Sequence, residues 1–367
     1  MRSILMLEDG TCFEGMPIGP PGECTGPLML HTAVVGYQEI MTDPANAGKI
    51  LVFTYPLIGN YGVAGKFNES NRCWLAGVVV KEASSTYSNW QGEDTFANWL
   101  ERQRVAGIGQ VDTRALAVTI REKGEMWGIV STADRSKDEL RGGLQDHKSK
   151  TTKDFISQIS VKEPTDLGRS ASGPKIAVLD LGVLQGFLRQ LEALGCNVVL
   201  LPYNTSAEAI VQLNPDGLII SNGPEEDEAI PGIVAVMKGV LGGIPTLGIS
   251  IGHEIISLAL GGQLRKMKAG HHGVNYPVKS VHSKRGDITV QNHSFVVEEP
   301  SLAPRDDVEI TLRNVNDDSI EEIQSESLRF ISAQYYPTSP GRGEVHDLFR
   351  RFLTLTERAK DTKHAKT

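Results

Sequence analysis

A serine between two glycines is the residue in this sequence best suited to nucleophilic chemistry. Gly248, Ser250 and Gly252 form the pattern G-x-S-x-G. The pattern begins at the end of the apolar stretch 245–249 and is followed by a second apolar stretch at 254–260. Glycines permit the sharp turn that raises one side chain at the end of a strand and leaves the next backbone N–H as an oxyanion donor. The pattern therefore predicts a strand, a tight turn with a nucleophile position at Ser250, and a helix.

The segments around this turn alternate between apolar runs and short helical patterns. The apolar runs predict strands at 175–181, 197–201, 217–221 and 245–249. Buried strands that alternate with helices indicate a parallel sheet covered on both faces, with its sites at the carboxyl ends of the strands. The second half is therefore predicted to be a doubly wound α/β domain. Ser221–Pro224 follows one of these strands and could supply a further backbone donor.

The first half has a different pattern and is predicted to be α+β. Short β-rich segments at 4–7, 50–54 and 75–80 are separated by Gly and Pro, and helices are expected at 95–103 and 113–122. The polar stretch that follows contains Gly, Ser and Pro and indicates a domain boundary. We expect one domain at 1–150, a linker at 151–173, a second domain at 174–358 and a flexible tail at 359–367.

Composition excludes several classes of protein. The 367 residues suggest two domains, and the formal net charge of −8 argues against a nucleic-acid partner. The four cysteines form no C-x-x-C pair, so neither a zinc site nor a disulfide framework is expected. The N-terminus lacks the features of a signal peptide, and no apolar run is long enough to span a membrane. A soluble cytoplasmic protein is the expectation.

Longer motifs in both halves resemble those of one known family. They are Gly36–Glu39, Thr42–Pro44, Val111–Leu116, Arg121–Gly124, Ser221–Pro224, Gly248–His253, Lys266–Lys268, Gly270–Gly273 and Gln291–His293. The second half resembles a class I glutamine amidotransferase. The whole chain, over nearly all of 1–358, resembles the small-subunit family of carbamoyl phosphate synthetases.

That resemblance implies an activity and a partner. In the family, a cysteine at the elbow turn, a histidine and a glutamate hydrolyse glutamine, and the ammonia passes to a large subunit. The large subunit makes carbamoyl phosphate, for pyrimidine and arginine synthesis, from bicarbonate and ATP. The resemblance therefore implies a heterodimer or larger assembly. ATP and magnesium are expected only in the partner, with no cofactor or metal in this chain.

The three catalytic positions of the family are replaced in this sequence. Ser250 stands at the cysteine position, Tyr336 at the histidine position and Thr338 at the glutamate position. A serine hydroxyl needs a base to accept its proton, and an unperturbed phenol, with a pKa of about 10, is a poor base. A threonine carries no charge to orient a histidine. The replacements predict that glutamine hydrolysis is lost.

The substrate pocket implied by the family is partly replaced as well. The retained positions are Gly223, Ile251, Asn292 and Phe295. The altered positions are Ala45 for serine, Glu225 for glycine, Glu254 for glutamine and Ser294 for glycine. A carboxylate at position 225 is expected to extend into the substrate's space and to oppose the substrate's own carboxylate.

Three functions remain open from the sequence, and whether the chain is an enzyme is left undecided. The leading hypothesis is a small-subunit homologue that acts as a scaffold or regulator of an ammonia-using large subunit. A non-catalytic module that binds another ligand is the alternative, and a serine hydrolase using Ser250 is the weaker one. The adjacent pair His271 and His272 is interpreted as structural, and the acidic residues 225–228 as a solvated loop.

Overall fold

The structure, a computed structural model, describes residues 2–168, 173–341 and 343–364. These residues form two compact units, and each mixes helices and strands as predicted. Unit 1 contains the residues up to Thr152 together with Lys268–Gly273, and unit 2 contains Lys153–Met267 and the residues from Val274 onward. No helix within the described ranges combines the length and apolar character needed to span a membrane.

Unit 1 is built on a closed barrel, which the sequence pattern did not predict. Its strands are β1 (Ser3–Leu7), β2 (Cys12–Ile18), β3 (Glu23–His31), β4 (Ile50–Phe53), β6 (Gly77–Val79), β8 (Ala106–Gly109) and β9 (Trp127–Ser131), with a separate pair β5 (Leu57–Ile58) and β7 (Glu82–Ala83). The order around the barrel is β1-β2-β8-β6-β4-β3-β9, and β1 closes it against β9. Closure leaves no exposed sheet edge.

Four helices accompany the barrel. They are α1 (Tyr37–Met41), α2 (Phe96–Gln103), α3 (Thr113–Lys123) and α4 (Lys137–Lys150), with 3-10 turns at Pro44–Asn46 and Gly65–Phe67. The helices α2 and α3 lie where the sequence predicts them, because Thr95 and Asp112 cap their first turns by accepting backbone N–H bonds. The barrel interior is apolar, with Leu5, Ile50 and Val79 fully buried.

Unit 2 contains a ten-stranded sheet with seven helices. The strands are β10 (Thr165–Asp166), β11 (Lys175–Asp180), β12 (Asn197–Pro202), β13 (Gly217–Ile220), β14 (Thr246–Ile249), β15 (Leu264–Ser280), β16 (Gly286–Val297), β17 (Glu309–Asn314), β18 (Ile320–Ser325) and β19 (Phe330–Ala333). The helices are α5 (Ile156–Ile159), α6 (Gln185–Ala193), α7 (Ala207–Gln212), α8 (Ile230–Val240), α9 (Ile251–Ala259), α10 (Glu299–Leu302) and α11 (Asp347–His364). Within β15, residues 268–273 belong to unit 1.

The predicted parallel sheet forms one half of this larger sheet. The order is β10-β12-β11-β13-β14-β19-β18-β17-β15-β16, and the strands from β12 to β19 in this order are parallel. The strands β18, β17 and β15 continue it in antiparallel pairing, which the sequence pattern did not predict. The reason lies in β18, where Glu321 and Glu322 are buried and interrupt the apolar pattern.

Helices cover both faces of the parallel half, as a doubly wound domain requires. On one face Phe187 of α6 and Phe349 of α11 pack against Ile176 and Val178 of β11. On the other face Met237 of α8 and Ile255 of α9 pack in one cluster with the alternate β11 residues, such as Ala177. The alternation along β11 shows that both of its faces are buried.

The segment predicted as a linker at 151–173 is structured over much of its length. The carboxylate of Asp227 accepts the backbone N–H groups of Phe155 and Ile156 at 2.6 and 2.9 Å, and Asp180 accepts that of Val161 at 2.9 Å. These bonds fix 153–168 within unit 2. Residues 169–172 lie outside the described residues. In the predicted tail at 359–367, α11 continues to His364, and 365–367 lie outside the described residues.

Candidate functional site

The predicted elbow is present between β14 and α9. Ser250 adopts φ 55° and ψ −112°, a backbone conformation that residues with a side chain rarely take. Its backbone is held on both sides: its N–H donates to Ala333 O at 2.8 Å, and its carbonyl accepts from the backbone N–H of His253 at 2.8 Å. The surrounding hydrogen bonds therefore impose the strained turn.

The two glycines of the motif are required by close backbone approach. A Cβ atom on Gly252 would lie 2.2 Å from the carbonyl oxygen of Ile220 in β13. A Cβ atom on Gly248 would lie 2.6 Å from the carbonyl oxygen of Gly252. Neither contact is possible for real atoms, so the spacing of this pattern reflects steric necessity. Gly223 is constrained in the same way, because its Cβ would lie 2.3 Å from Leu181 O.

The side chain of Ser250 is fully buried, and no base among the described residues is hydrogen-bonded to it. Its Oγ makes no hydrogen bond to any part of the chain that the structure describes. The nearby His253 bonds through Nδ1 to Ser332 Oγ at 2.9 Å, and its Nε2 likewise has no partner among the described residues. Burial lowers the pKa of His253 to about 4, so its imidazole is neutral at pH 7. Ser250 and His253 do not form a hydrogen-bonded pair.

Tyr336, at the histidine position, is buried among aromatic rings and bonded to a pocket residue. It is 4% exposed, and its ring meets that of Phe187 edge-on at 5.7 Å between centroids. Its hydroxyl oxygen accepts a bond from Asn292 Nδ2 at 3.2 Å. The backbone N–H of Tyr336 donates to Val290 O at 2.9 Å. Asn292, a predicted pocket residue, thus contacts the residue predicted to replace the catalytic base.

Thr338, at the glutamate position, lies in a tight turn after Tyr336. It is half-buried, and its backbone N–H donates to Tyr336 O at 2.8 Å. Gln190 of α6 holds this turn by donating from Nε2 to Pro337 O at 2.9 Å. The same side chain accepts from the backbone N–H of His346 at 2.7 Å. The turn is thus fixed by an amide, and its threonine supplies no charge.

Glu225 does not simply extend into open space. Its carboxylate accepts the backbone N–H of Ser294 at 2.8 Å to each oxygen, and the N–H of Phe295 at 3.1 Å. Ser294 is buried and Phe295 is half-buried. Three positions of the predicted pocket therefore contact one another directly.

The remaining pocket positions lie at defined points of the two units. Glu254 in the first turn of α9 is fully buried and accepts a bond from Gln334 Nε2 at 3.0 Å. Ile251 is the first residue of α9, where a backbone N–H has no partner inside the helix. In unit 1, Ala45 lies buried in a 3-10 turn capped by Asp43.

Sequence reasoning missed Gln190, Ser332 and Gln334, each of which holds a site residue. Gln334 offered a signal, since it lies in the same short stretch as Tyr336. The acidic residues after position 224, interpreted as a solvated loop, have separate internal partners. Glu226 pairs with Lys153 and Lys266 at 2.6 and 2.7 Å, while Asp227 caps residues 155 and 156.

The strained turn at Ser250 lies at the carboxyl end of the parallel strand β14, and the glycine-bearing end of β13 lies beside it. The family model described as "Glutamine amidotransferase class-I" matches residues 177–355. A second model, "Carbamoyl-phosphate synthase small chain, CPSase domain", matches residues 5–130, within unit 1. The two matches occur in the order that the motifs predict.

Full-length relatives show the particular family. The chain is similar to the carbamoyl phosphate synthase small chain of Syntrophotalea carbinolica, with 38% identity over 99% of this chain and 100% of the relative. It is also similar to that of Aquifex aeolicus, with 38% identity over 97% of this chain and 99% of the relative. The small chain of Staphylococcus haemolyticus is 38% identical over 98% of this chain and 97% of the relative. This chain therefore belongs to the carbamoyl phosphate synthase small chain family.

Proposed function

We propose that this chain is a carbamoyl phosphate synthase small chain that has lost glutamine hydrolysis and acts as a scaffold or regulator of an ammonia-using large chain. The observation that carries the proposal is the state of Ser250. Its hydroxyl is buried without a hydrogen-bond partner among the described residues, and a tyrosine stands where the family has its base. A serine that cannot transfer its proton is not an effective nucleophile.

The pocket contacts support the same conclusion. Asn292 donates to Tyr336, Glu254 accepts from Gln334, and Glu225 accepts from two backbone N–H groups. These polar groups have partners inside the chain, so a polar substrate would have to displace existing bonds. Catalytic residues act as a unit, so that loss of one removes most of the rate, and here three are replaced.

The relatives are small chains, which suggests that this chain has a large-chain partner. A small chain implies a large chain, which we expect to bind ATP and magnesium and to use free ammonium in place of glutamine nitrogen. The resemblance implies that the product, carbamoyl phosphate, serves pyrimidine or arginine synthesis in the cytoplasm. The long match across both units supports retained assembly, because an isolated amidotransferase domain would not need unit 1.

The two alternatives have less support from the contacts. A serine hydrolase needs a base bonded to Ser250, and the described residues provide none. A different ligand in the pocket would have to displace the existing hydrogen bonds of Asn292, Glu225 and Glu254. The scaffold function is therefore the one we propose to test first.

The test measures two products in one mixture of the purified chain and its cognate large chain. We expect no ammonia release from glutamine, and carbamoyl phosphate formed from ammonium at a rate that rises when this chain is added. The Ser250→Ala variant is expected to behave identically to the parent chain in both assays. Ammonia release that disappears in Ser250→Ala would overturn the loss of hydrolysis. An unchanged ammonium-dependent rate would overturn the scaffold function.

A repaired variant sharpens the experiment. This variant restores the residue types of the family at four positions, by Ser250→Cys, Tyr336→His, Thr338→Glu and Glu225→Gly. Measurable glutamine hydrolysis in this variant alone would trace the loss to these four positions. The matched control omits Ser250→Cys and should remain inactive, because a histidine and an acid cannot act without the nucleophile.

A further inference from the structure

Glu225 makes a contact that differs from an ordinary ion pair. Its carboxylate lies on two successive backbone N–H groups of β16, those of Ser294 and Phe295, at 2.8 to 3.1 Å. Both oxygens of the carboxylate accept from Ser294, and one also accepts from Phe295. No lysine or arginine is part of this contact.

The direction of these two N–H groups is unusual for a strand. In a regular strand, successive N–H groups point to opposite edges and join different neighbours. Here two adjacent groups converge on one carboxylate. Converging backbone N–H groups form an anion-binding concavity, because their dipoles add at one point. The backbone at Ser294 and Phe295 is therefore shaped as an anion site.

The neighbouring acids show that this contact is specific to Glu225. Glu226 turns to Lys153 and Lys266, and Asp227 caps the backbone at Phe155. Three consecutive acids thus have three different partners. Only the first of them reaches the concavity in β16.

We propose that Glu225 is a permanent intramolecular ligand of the pocket that the family resemblance implies, held by the N–H groups of two of that pocket's positions, Ser294 and Phe295. This ligand excludes free carboxylates, including the α-carboxylate of an amino acid such as glutamine. The inference rests on the proposed function, since it names the residue that closes the altered pocket. The inference differs from the proposed loss of the catalytic triad, because it concerns the binding of a carboxylate and not the hydrolysis of glutamine.

The energetics favour the tethered group. Hydrogen bonds from N–H groups to a carboxylate are charge-assisted and stronger than neutral ones. A side chain of the same chain has a high effective concentration at the site, so a free ligand must compete with it at every encounter. Removing the carboxylate leaves two converging donors that an external carboxylate can satisfy.

The test follows the amide signals of Ser294 and Phe295 by heteronuclear NMR in the full chain. The probes are acetate, L-glutamine and L-glutaminamide, the last being glutamine without its carboxylate. In Glu225→Ala we expect both signals to shift saturably with acetate and with glutamine, and not with glutaminamide. The parent chain should bind roughly tenfold more weakly or not at all. Glu226→Ala, the matched control, should behave as the parent chain does.

Two results would overturn the inference. One is a Glu225→Ala chain that is folded by its amide dispersion and yet shows no response to acetate. The other is a parent chain that responds as strongly as the variant. If Glu225→Ala does not fold, Glu225→Gln keeps the side-chain shape and should give a weaker shift of the same two signals; no shift there also overturns the inference.

The glutaminase assay keeps this inference separate from the proposed function. Glutamine hydrolysis by the parent chain would overturn the proposed function whatever the NMR result. No hydrolysis together with an unresponsive Glu225→Ala chain would overturn only the inference about Glu225. Hydrolysis that appears in Glu225→Ala alone would support the carboxylate site and contradict the conclusion that the triad positions are inactive.

Discussion

The backbone of the elbow and the side chains around it are held by different kinds of contact. The backbone retains the strained serine, the two glycines and the strand and helix on either side. Around it, the side chains of Tyr336, Glu225 and Glu254, which the sequence predicts to be replacements, bond to partners within unit 2. Close backbone contacts exclude any residue other than glycine at positions 248 and 252, whereas Tyr336, Glu225 and Glu254 are held by hydrogen bonds.

This difference separates what the fold needs from what catalysis needs. The glycines cannot be replaced because their neighbours are backbone atoms, which cannot move aside. A pocket side chain can be replaced when the new group finds a hydrogen-bond partner, because a satisfied polar group has little cost. The elbow can therefore stay well formed whatever side chains surround it.

The largest predicted effect is the loss of stability on removing Glu322, a buried carboxylate that holds the fold, in contrast to Glu225 in the pocket. Glu322 is 1% exposed and accepts bonds from Tyr335 at 2.9 Å, Thr311 at 2.6 Å and Arg351 at 2.8 Å. Glu322→Ala removes the shared acceptor and leaves those donors without it. We expect a loss of about 3 kcal/mol in the free energy of unfolding, measured in urea by circular dichroism.

Glu225→Ala is the comparison for that prediction. Its carboxylate is half-buried, so water can replace it on the two N–H groups, and the expected loss is about 1 kcal/mol. Equal losses for the two variants would mean that Glu225 belongs to the fold and not to the pocket.

Gly252→Ala tests whether close backbone contacts fix the elbow. The added Cβ would lie 2.2 Å from the carbonyl oxygen of Ile220, so β13 or α9 must move. We expect a loss of about 2 to 3 kcal/mol in the free energy of unfolding. The matched control is Gly232→Ala in α8, where the added atom meets nothing within 4 Å. That change should stabilise the helix by about 0.5 to 1 kcal/mol. A mild effect at Gly252 would show that the elbow backbone can adjust.

The third prediction compares the two units through their buried histidines. Burial lowers the pKa of His253 in unit 2 to about 4, and burial together with nearby His272 lowers that of His31 in unit 1 to about 3. Both are neutral in the folded chain, and the unfolded chain, with an ordinary value of 6.5, takes up protons first. Stability therefore falls as the pH drops below 6.5, by about 2 kcal/mol per histidine at pH 5.

The two contributions can be read separately. Unit 1 contains all four tryptophans, Trp74, Trp90, Trp99 and Trp127, so tryptophan fluorescence reports the unfolding of unit 1. Hydrogen exchange of the amides in unit 2 reports the unfolding of unit 2. His31→Gln should reduce the pH dependence seen by fluorescence, and His253→Gln that seen in unit 2. A pH dependence unchanged in both variants would assign the acid sensitivity to other groups, such as Glu125, whose pKa is lowered to about 2.

The sequence predicted the elements that have strong local patterns. The strands β11 to β14 coincide with the apolar runs at 175–181, 197–201, 217–221 and 245–249. The helix α4 was missed because only Leu140 and Leu144 are buried on it, although Ser136 and Glu139 form a capping box that could have indicated it. The barrel of unit 1 was missed because its pairings join strands that are distant in the sequence.

For the site, the sequence predicted identities but not contacts. The motifs around Ser250, Tyr336 and Thr338 predict that these residues replace the catalytic ones, and this stays a prediction. The bonds of Glu225 to β16 and of Asn292 to Tyr336 join residues 69 and 44 positions apart, and no local pattern carries such pairs. Only the folded chain shows that these groups bond to each other.

The smallest predicted effect concerns Ser250 itself. Its hydroxyl is buried and makes no hydrogen bond within the described ranges, and an unsatisfied buried polar group costs about 1 kcal/mol or more. Ser250→Ala is therefore expected to stabilise unit 2 by about 1 kcal/mol, measured by hydrogen exchange of the amides in β14 and α9. The strain of the turn stays, because alanine keeps the Cβ atom.

Ser257→Ala is the matched control on the same helix. Its hydroxyl is equally buried but donates to His253 O at 2.9 Å, so its removal should destabilise unit 2 by about 1 kcal/mol. Opposite signs for these two buried serines, one at the N-cap of α9 and one within it, would show that the hydroxyl of Ser250 destabilises the fold. A loss of stability in Ser250→Ala would instead mean that this hydroxyl makes a bond that holds the elbow, and the elbow would then be maintained by its side chain as well as by its backbone.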